Sequence, residues 1–552
     1  MTTDPAPTPR RHRPRIVGAA ATGVIVAVLG TACGTPIPKA APGESPSAYS
    51  GLEVDEDRIE YAIGKVTDIV EEELEESGIP GAAVAVVHGG EVVVAEGFGV
   101  RDTGTGANVD ERTVFPLASI SKSVSATVVA AESANGEVGW STPVRDQLPW
   151  FELSDPRISP LVTVGDLFAH RSGLPEHAGD DLEDLGYARP AILHGLRRLP
   201  LTPFRTSYAY TNFGLTAGAE AVAAAAGTPW DELGRERLFE PLGMSGTSFS
   251  HEELLERDNR AVGHVRATDS DPGGSVGNWI PAVPGRDPDA QAPAGGLSSS
   301  VTDMARWMAM VLRDGKAADG SQVVPSEALR EALTPQIVSA PPQSPADRPG
   351  AYGYGFNVST SSSGRVQWSH SGAFALGAGT AMLMMPSLDL GIITLTNAAP
   401  VGVAETINAR VADLAQYGDR TLDWGELYGQ AFAQLLDPVG DLTGAPQPTD
   451  PEPPRPLDQL VGTYRNDYFG TLEVRRAGDA LSLAWGRGLA PWPLEHWDGD
   501  TFAAGPESEN WTPGSRGSVT FNGDRVTLDL LEGNGLGTFT RVAEPSEPAG
   551  PS

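Results

Sequence analysis

The chain has 552 residues, 39 Lys and Arg against 72 Asp and Glu, a formal net charge of -33 and one cysteine. Its length predicts more than one domain, and 40% hydrophobic residues suffice for a large core. The charge argues against a nucleic-acid partner, since no basic surface is available to neutralise phosphates, and a single cysteine excludes any disulfide within one chain.

Arg10, Arg11, Arg13 and Arg15 precede an apolar run over 16–32. That run is shorter than the ~20 residues of a spanning helix, so 1–32 reads as a signal peptide and the protein as exported. Cys33 follows directly. A sole cysteine there resembles the lipidation site of a bacterial lipoprotein, which implies an extracytoplasmic protein held at the membrane through its N-terminus. Gly30 stands where such sites prefer Leu. An uncleaved anchor, or a cysteine removed with the signal, is the plainer alternative. Residues 33–50, rich in Pro, Ala, Gly and Ser after the cysteine, form the tether on this reading.

Over 55–76, Ile59, Ile63, Val66, Ile69, Val70 and Leu74 fall on one stripe and predict an amphipathic helix. Residues 82–87 and 91–95, separated by His88-Gly89-Gly90, predict a hairpin. Lysine is then the informative residue. The chain has four, Lys39, Lys65, Lys122 and Lys316, and uses arginine almost everywhere else. Lys122 stands three residues after Ser119. A desolvated lysine can be neutralised and take a proton from a hydroxyl, whereas arginine cannot. Positions i and i+3 share one face of a helix, and 123–135, rich in Ala, Val and Ser and stopped by Gly136, predicts one. Ser119 and Lys122 therefore make a candidate activated nucleophile; by itself the pattern is weak.

Thr163-Val-Gly-Asp166 predicts a capped helix start. Tyr210 and Asn212 place a phenol and an amide on a loop ahead of an Ala-rich helix over 215–226. Apolar runs over 380–385 and 390–396 flank a Pro386-Ser-Leu-Asp turn and predict antiparallel strands beside His370-Ser371-Gly372-Ala373, where the glycine permits close backbone approach. Helix, strands, helical middle and returning strands together predict an α+β fold, one antiparallel sheet with helices on it.

Residues 403–417 and 422–436 read as closing helices, and 439–456 as a Pro-rich linker. Short alternating strands follow at 470–474, 480–485, 518–521, 525–530 and 537–542, with an Asn522-Gly523-Asp524 hairpin turn. These predict a small antiparallel β-barrel over 457–545, and 546–552 is a tail.

Ser119/Lys122, Tyr210/Asn212 and His370/Gly372 resemble the Ser-x-x-Lys, Tyr-x-Asn and Lys/His-Ser/Thr-Gly motifs of the penicillin-recognising serine hydrolases. The stretches 164–175, 238–244 and 293–306 are similar to that family too. The likeness covers most of 51–438, on the class C β-lactamase branch that includes D-Ala carboxypeptidases, D-aminopeptidases and esterases. The barrel resembles lipocalin-like domains appended to some members, with 461–464 as its opening strand. The resemblance implies a β-lactamase/transpeptidase-like fold and an acyl-enzyme on Ser119, with Lys122 and Tyr210 moving the proton. It implies substrate contacts from Asn212, His370, Ser371, Gly372 and Ala373, and an oxyanion hole from the Ser119 and Ala373 amides. It implies no cofactor, and a small-molecule or peptide substrate, with cell-wall-derived compounds among the candidates. A penicillin-binding or cell-wall-sensing lipoprotein with little turnover is the competing function.

A Gly-x-Ser-x-Gly pattern around Ser275 lies in a Pro/Asp/Gly loop, without the strand-to-helix setting that a nucleophile elbow requires. The nine histidines show no zinc spacing. His170, His177 and His264 read as structural or surface residues, and His88 and His496 offer no chemistry. Oligomeric state is not legible.

Overall fold

The computed structural model describes residues 45, 47–268, 277–485 and 489–542. Cys33, the signal segment and Ser275 lie outside the described residues. The larger region is built on a nine-stranded sheet in the order Ala107–Asn108, Glu91–Asp102, Gly81–His88, Leu390–Thr396, Ala378–Met385, Val366–Phe374, Asn357–Thr360, Gly350–Tyr352 and Ile337–Ala340. Every pairing in it is antiparallel. Gly81–His88 pairs with Leu390–Thr396, so the two ends of this region close one sheet around a helical middle.

The pleat sorts the sheet into two faces. Val84, Val86, Leu390 and Ile392 pack with Ile59, Val66, Val70, Ile407 and Val411 of the helices at the two ends of the region. Ala83, Ala85, Met382, Met384, Ile393 and Leu395 face the helical middle. There the helix Ile120–Glu132 is buried along all 13 residues. A helix surrounded by protein needs no polar stripe, and its serines instead answer backbone carbonyls: Ser123 Oγ donates to Gly355 O and Ser125 Oγ to Pro293 O at 2.6 Å.

The single helix expected over 55–76 is two, Glu56–Ile63 and Val66–Ser77. The break falls at Gly64, the residue in this stretch with the poorest helix propensity. The Asp166 cap forms as the spacing suggests: Thr163 Oγ1 accepts the Asp166 N–H and Asp166 Oδ2 accepts the Thr163 N–H, both at 3.1 Å.

The C-terminal region is a closed barrel of eight antiparallel strands, Gly462–Asn466, Gly470–Ala477, Ala480–Ala484, Trp492–Asp498, Thr501–Ala504, Gly517–Asn522, Arg525–Leu528 and Thr538–Arg541. Closure pairs Tyr464 with Arg541, leaving no free edge. Trp492–Asp498 and Thr501–Ala504 escape sequence reading. Pro493 argues against a strand, yet it is exposed and paired opposite Ser482, where its missing N–H is tolerated. Residues 439–456 run along the barrel: Leu442 N–H donates to Arg516 O at 3.1 Å and Glu452 N–H to Asp498 Oδ1 at 2.7 Å. The barrel also abuts the larger region, Tyr187 Oη donating to Phe469 O at 2.6 Å and Tyr468 Oη to Asp181 Oδ1 at 3.0 Å.

Candidate active site

Ser119 is the N-cap of Ile120–Glu132, and Ala118 before it has a positive φ of 46°, an uncommon conformation for a residue with a side chain. The turn presents Ser119 Oγ beside the first turn of its own helix. Lys122 Nζ lies 3.0 Å from that oxygen, and Tyr210 Oη donates to it at 2.8 Å. Lys122 is completely buried. Its Nζ has two further partners, Asn212 Oδ1 and the carbonyl oxygen of Ala294, each at 2.8 Å. Burial pushes the amine down from 10.5 to about 7, against the attraction of Asp180.

Three oxygens surround Nζ, one for each N–H group of an ammonium. Once burial strips the proton, Asn212 and Ala294 hold the two remaining N–H groups and the lone pair is left toward Ser119 Oγ. Tyr210 is the opposite case: burial pushes its phenol far above 10, so it stays protonated and donates. Asn212 begins the helix Asn212–Ala226, and its Nδ2 donates to Asp180 Oδ2 at 2.9 Å. Asp180 Oδ2 also takes the His177 Nδ1 proton at 3.0 Å, while Asp180 Oδ1 is buried without a hydrogen-bond partner.

The wall facing Ser119 is the strand Val366–Phe374. His370 and Gly372 are opposite Met382 and Thr380, on the face toward the helical middle. A Cβ built on Gly372 would meet Leu117 O at 2.2 Å and Ser119 N at 3.0 Å. Only glycine lets the strand approach the nucleophile's amide this closely. Ala373 is the next residue along that strand and pairs with Gly379.

His370 is buried, with both ring nitrogens engaged: Nδ1 lies 2.7 Å from Ser371 O, and Tyr352 Oη lies 2.8 Å from Nε2. The carbonyl can only accept, which places the proton on Nδ1 and makes Tyr352 the donor to Nε2. Burial and the neighbouring Lys122 push the imidazole from 6.5 to about 3, so it is neutral.

Ser371 alternates with His370 and Gly372. As the next residue on an extended strand it points to the other face, opposite Ala381, the side of the buried Glu405 on the helix Val403–Tyr417. Its side chain is not brought to the Ser119 side. Glu405 is buried there, and desolvation pushes it up to about 7.

Residues 66–416 match the family model described as Beta-lactamase. The chain belongs to the Beta-lactamase family. Residues 446–528 match Domain of unknown function (DUF3471). Unguisins hydrolase ungD' of Aspergillus campestris (strain IBT 28561) is 27% identical over 415 residues, 73% of this chain and 75% of that protein. Penicillin-binding protein 4 of Amycolatopsis lactamdurans is 29% identical over 402 residues, 71% of this chain and 94% of that protein. The solved octameric penicillin-binding protein homologue from Pyrococcus abyssi superposes with a TM-score of 0.55 at 21% identity, over 85% of this chain and 98% of that one, a likeness of fold. A serine hydrolase fits these relatives.

Several site residues are invisible to motif reasoning. The Ala294 contribution is a backbone carbonyl, and Asp180 is one acid in the acid-rich stretch 180–184. His170 and His177, read as structural or surface residues, are beside the site. His170 is buried, its Nδ1 accepts the Thr211 N–H at 3.1 Å, and its ring lies 4.6 Å from that of Tyr210. His177 N–H donates to Tyr210 O at 2.8 Å. Both histidines therefore hold the one peptide unit between Tyr210 and Thr211. His264 bridges the Thr103 N–H and the Asn397 carbonyl and is structural.

Proposed function

We propose that the protein is a serine hydrolase working through an acyl-enzyme on Ser119, with Lys122 as general base and esters or amides involving a D-amino acid as substrates. The observation that carries this reading is the threefold environment of Lys122 Nζ: two acceptors for the two N–H groups of a neutral amine, and Ser119 Oγ at 3.0 Å for its lone pair. Ser119 Oγ attacks the carbonyl carbon as its proton passes to Lys122 Nζ. The developing oxyanion sits between the Ser119 and Ala373 amides, each worth ~3 kcal/mol in such sites. Collapse expels the leaving group, which takes its proton from Lys122 through Tyr210 Oη, the second group bonded to Ser119 Oγ. Water then releases the acyl group.

Neutral, fully hydrogen-bonded His370 gives a substrate carboxylate no cation to pair with, which favours neutral esters and aminoacyl amides over penicillins. We also place the protein outside the cytoplasm, anchored through lipidated Cys33, on its sequence alone; Cys33→Ser should then shift it out of the membrane fraction.

Turnover of p-nitrophenyl esters against benzylpenicillin tests the function, with fluorophosphonate labelling and peptide mass spectrometry to locate the nucleophile. Steady ester turnover with label on Ser119 is expected. Label on another serine overturns the assignment, and a single stoichiometric burst without turnover favours a penicillin-binding sensor instead. Faster hydrolysis of penicillin than of ester overturns the specificity.

A further inference from the structure

Residues 508–510 belong to the barrel connection between Thr501–Ala504 and Gly517–Asn522, but they are bonded to the hydrolase region at two separate places. At the first, Glu509 keeps partial exposure while its carboxyl turns inward and accepts the Ala375 N–H at 2.7 Å and the Leu376 N–H at 3.3 Å. Ala375 and Leu376 lie in the turn between Val366–Phe374 and Ala378–Met385, beginning two residues beyond Ala373. Burial pushes this carboxyl up to about 7, with the Arg286 guanidinium opposing.

At the second place, Ser508 Oγ donates to Asp184 Oδ2 at 2.6 Å, the Asn510 N–H donates to the same oxygen at 3.0 Å, and Asn510 Nδ2 donates to Asp180 O at 3.2 Å. These are the two ends of the helix Asp180–Asp184. Asp180 in turn accepts from Asn212, whose Oδ1 accepts from Lys122. One barrel loop thus touches, through short chains of hydrogen bonds, both the base and the strand that carries Ala373. Arg286, between them, pairs with Glu183 and lies 5.5 Å from the Phe374 ring.

We propose that loop 508–510 is a positioning clamp: it sets the Asn212–Lys122 side of the site against the Ala373 strand, so that base and oxyanion donor address the same carbonyl. This rests on the function proposed above. Neither Glu509 nor Asn510 touches the reacting atoms; both are positioning residues. The physical warrant is steep distance dependence, since a misplacement of ~1 Å far from the chemistry can cost about a hundredfold in rate. A carboxylate accepting two amides is suited to the task, as such charge-assisted bonds are short and about twice as strong as neutral ones.

The full chain carries the test. Glu509→Ala should lower kcat for a p-nitrophenyl ester by about tenfold, a tenth of the displacement limit above, with KM within about twofold. Glu509→Gln, which keeps one acceptor oxygen but sets an N–H donor against the second amide, should recover the rate only in part. Val526→Ala, in the barrel interior and away from the loop, should lower the thermal midpoint but leave kcat unchanged where the protein is folded. If Glu509→Ala keeps wild-type kcat, or Val526→Ala lowers kcat equally, the clamp is wrong and the barrel is only a neighbour. Should Glu509→Ala not be recovered folded, the double variant Ser508→Ala/Asn510→Ala decides: a severalfold loss of kcat at unchanged KM supports the clamp, and wild-type kcat overturns it. A Ser119→Ala protein that retains activity overturns the underlying function instead, whatever the loop variants do.

Discussion

The two regions bury their residues on opposite principles. In the barrel the interior is apolar, with Tyr464, Leu472, Leu483, Phe502, Phe521, Val526 and Phe539 inward, and from residue 457 onward the buried polar residues among those described are Thr512 and Ser515. In the sheet-and-helix region Lys122, His170, Asp180, His370 and Glu405 are all buried. The barrel's cohesion comes from non-directional removal of apolar area from water. The hydrolase region encloses ionisable groups whose hydrogen bonds fit one arrangement, at a cost in desolvation. Stability and chemistry should therefore separate by region when residues are changed.

The sharpest separation is between two alanine substitutions. Ser119→Ala should abolish ester hydrolysis, a loss of about a thousandfold or more where a nucleophile is deleted, and leave the unfolding midpoint nearly unchanged. Phe539→Ala should cost about 3–5 kcal/mol of stability in denaturant titrations and leave kcat intact under folded conditions. Activity lost with Phe539→Ala in folded protein would break the contrast.

Next in size is Lys122→Arg. It keeps the charge, yet it should be about as damaging as Lys122→Ala, because guanidinium cannot serve as a base. A residual rate above roughly a tenth of wild type, about 1.4 kcal/mol on the barrier, would reduce Lys122 to an electrostatic partner.

The pH profile probes the same burial. Lys122 must be neutral to act, and desolvation lowers it to about 7. kcat/KM should therefore rise about tenfold per pH unit below that midpoint and level above it. Above pH 7 the profile should show no gain from Tyr210, whose ionisation lies far higher. A midpoint near the ordinary lysine value would mean that the amine is hydrated in solution.

The smallest effect concerns a polar pair behind the site. Tyr352→Phe removes the proton donated to His370 Nε2 and leaves a buried acceptor unmet, which should cost about 1–3 kcal/mol in stability. The ester rate should stay within about threefold. A large rate loss with unchanged stability would place His370 in the chemistry.

Local chemistry was readable because it is carried by close neighbours along the chain. Ser119 and Lys122 are one helical turn apart, and Tyr210 and Asn212 flank one residue at a helix start. Gly372 was readable as a close-approach glycine, though not what approaches it. The face taken by the Ser371 side chain was not readable, because adjacent strand residues face opposite ways and the choice of face depends on register against Thr380 and Met382. The unread strand Trp492–Asp498 has a similar cause: Pro493 reads as a strand breaker until its neighbour and exposure are known.

What the sequence by itself determined is the set of reactive groups, their order, and the periodicities that build an α+β region and a β-barrel, because those depend on chemistry and on spacing of a few residues. What only the tertiary structure decided is the state and company of those groups. Lys122 becomes a base by losing water and finding Asn212, distant in sequence, and the Ala294 carbonyl. His370 becomes neutral against Tyr352. The barrel loop meets the turn after Ala373 across more than a hundred residues of chain. Desolvation and long-range contact are properties of the packed molecule, and no spacing along the chain encodes them directly.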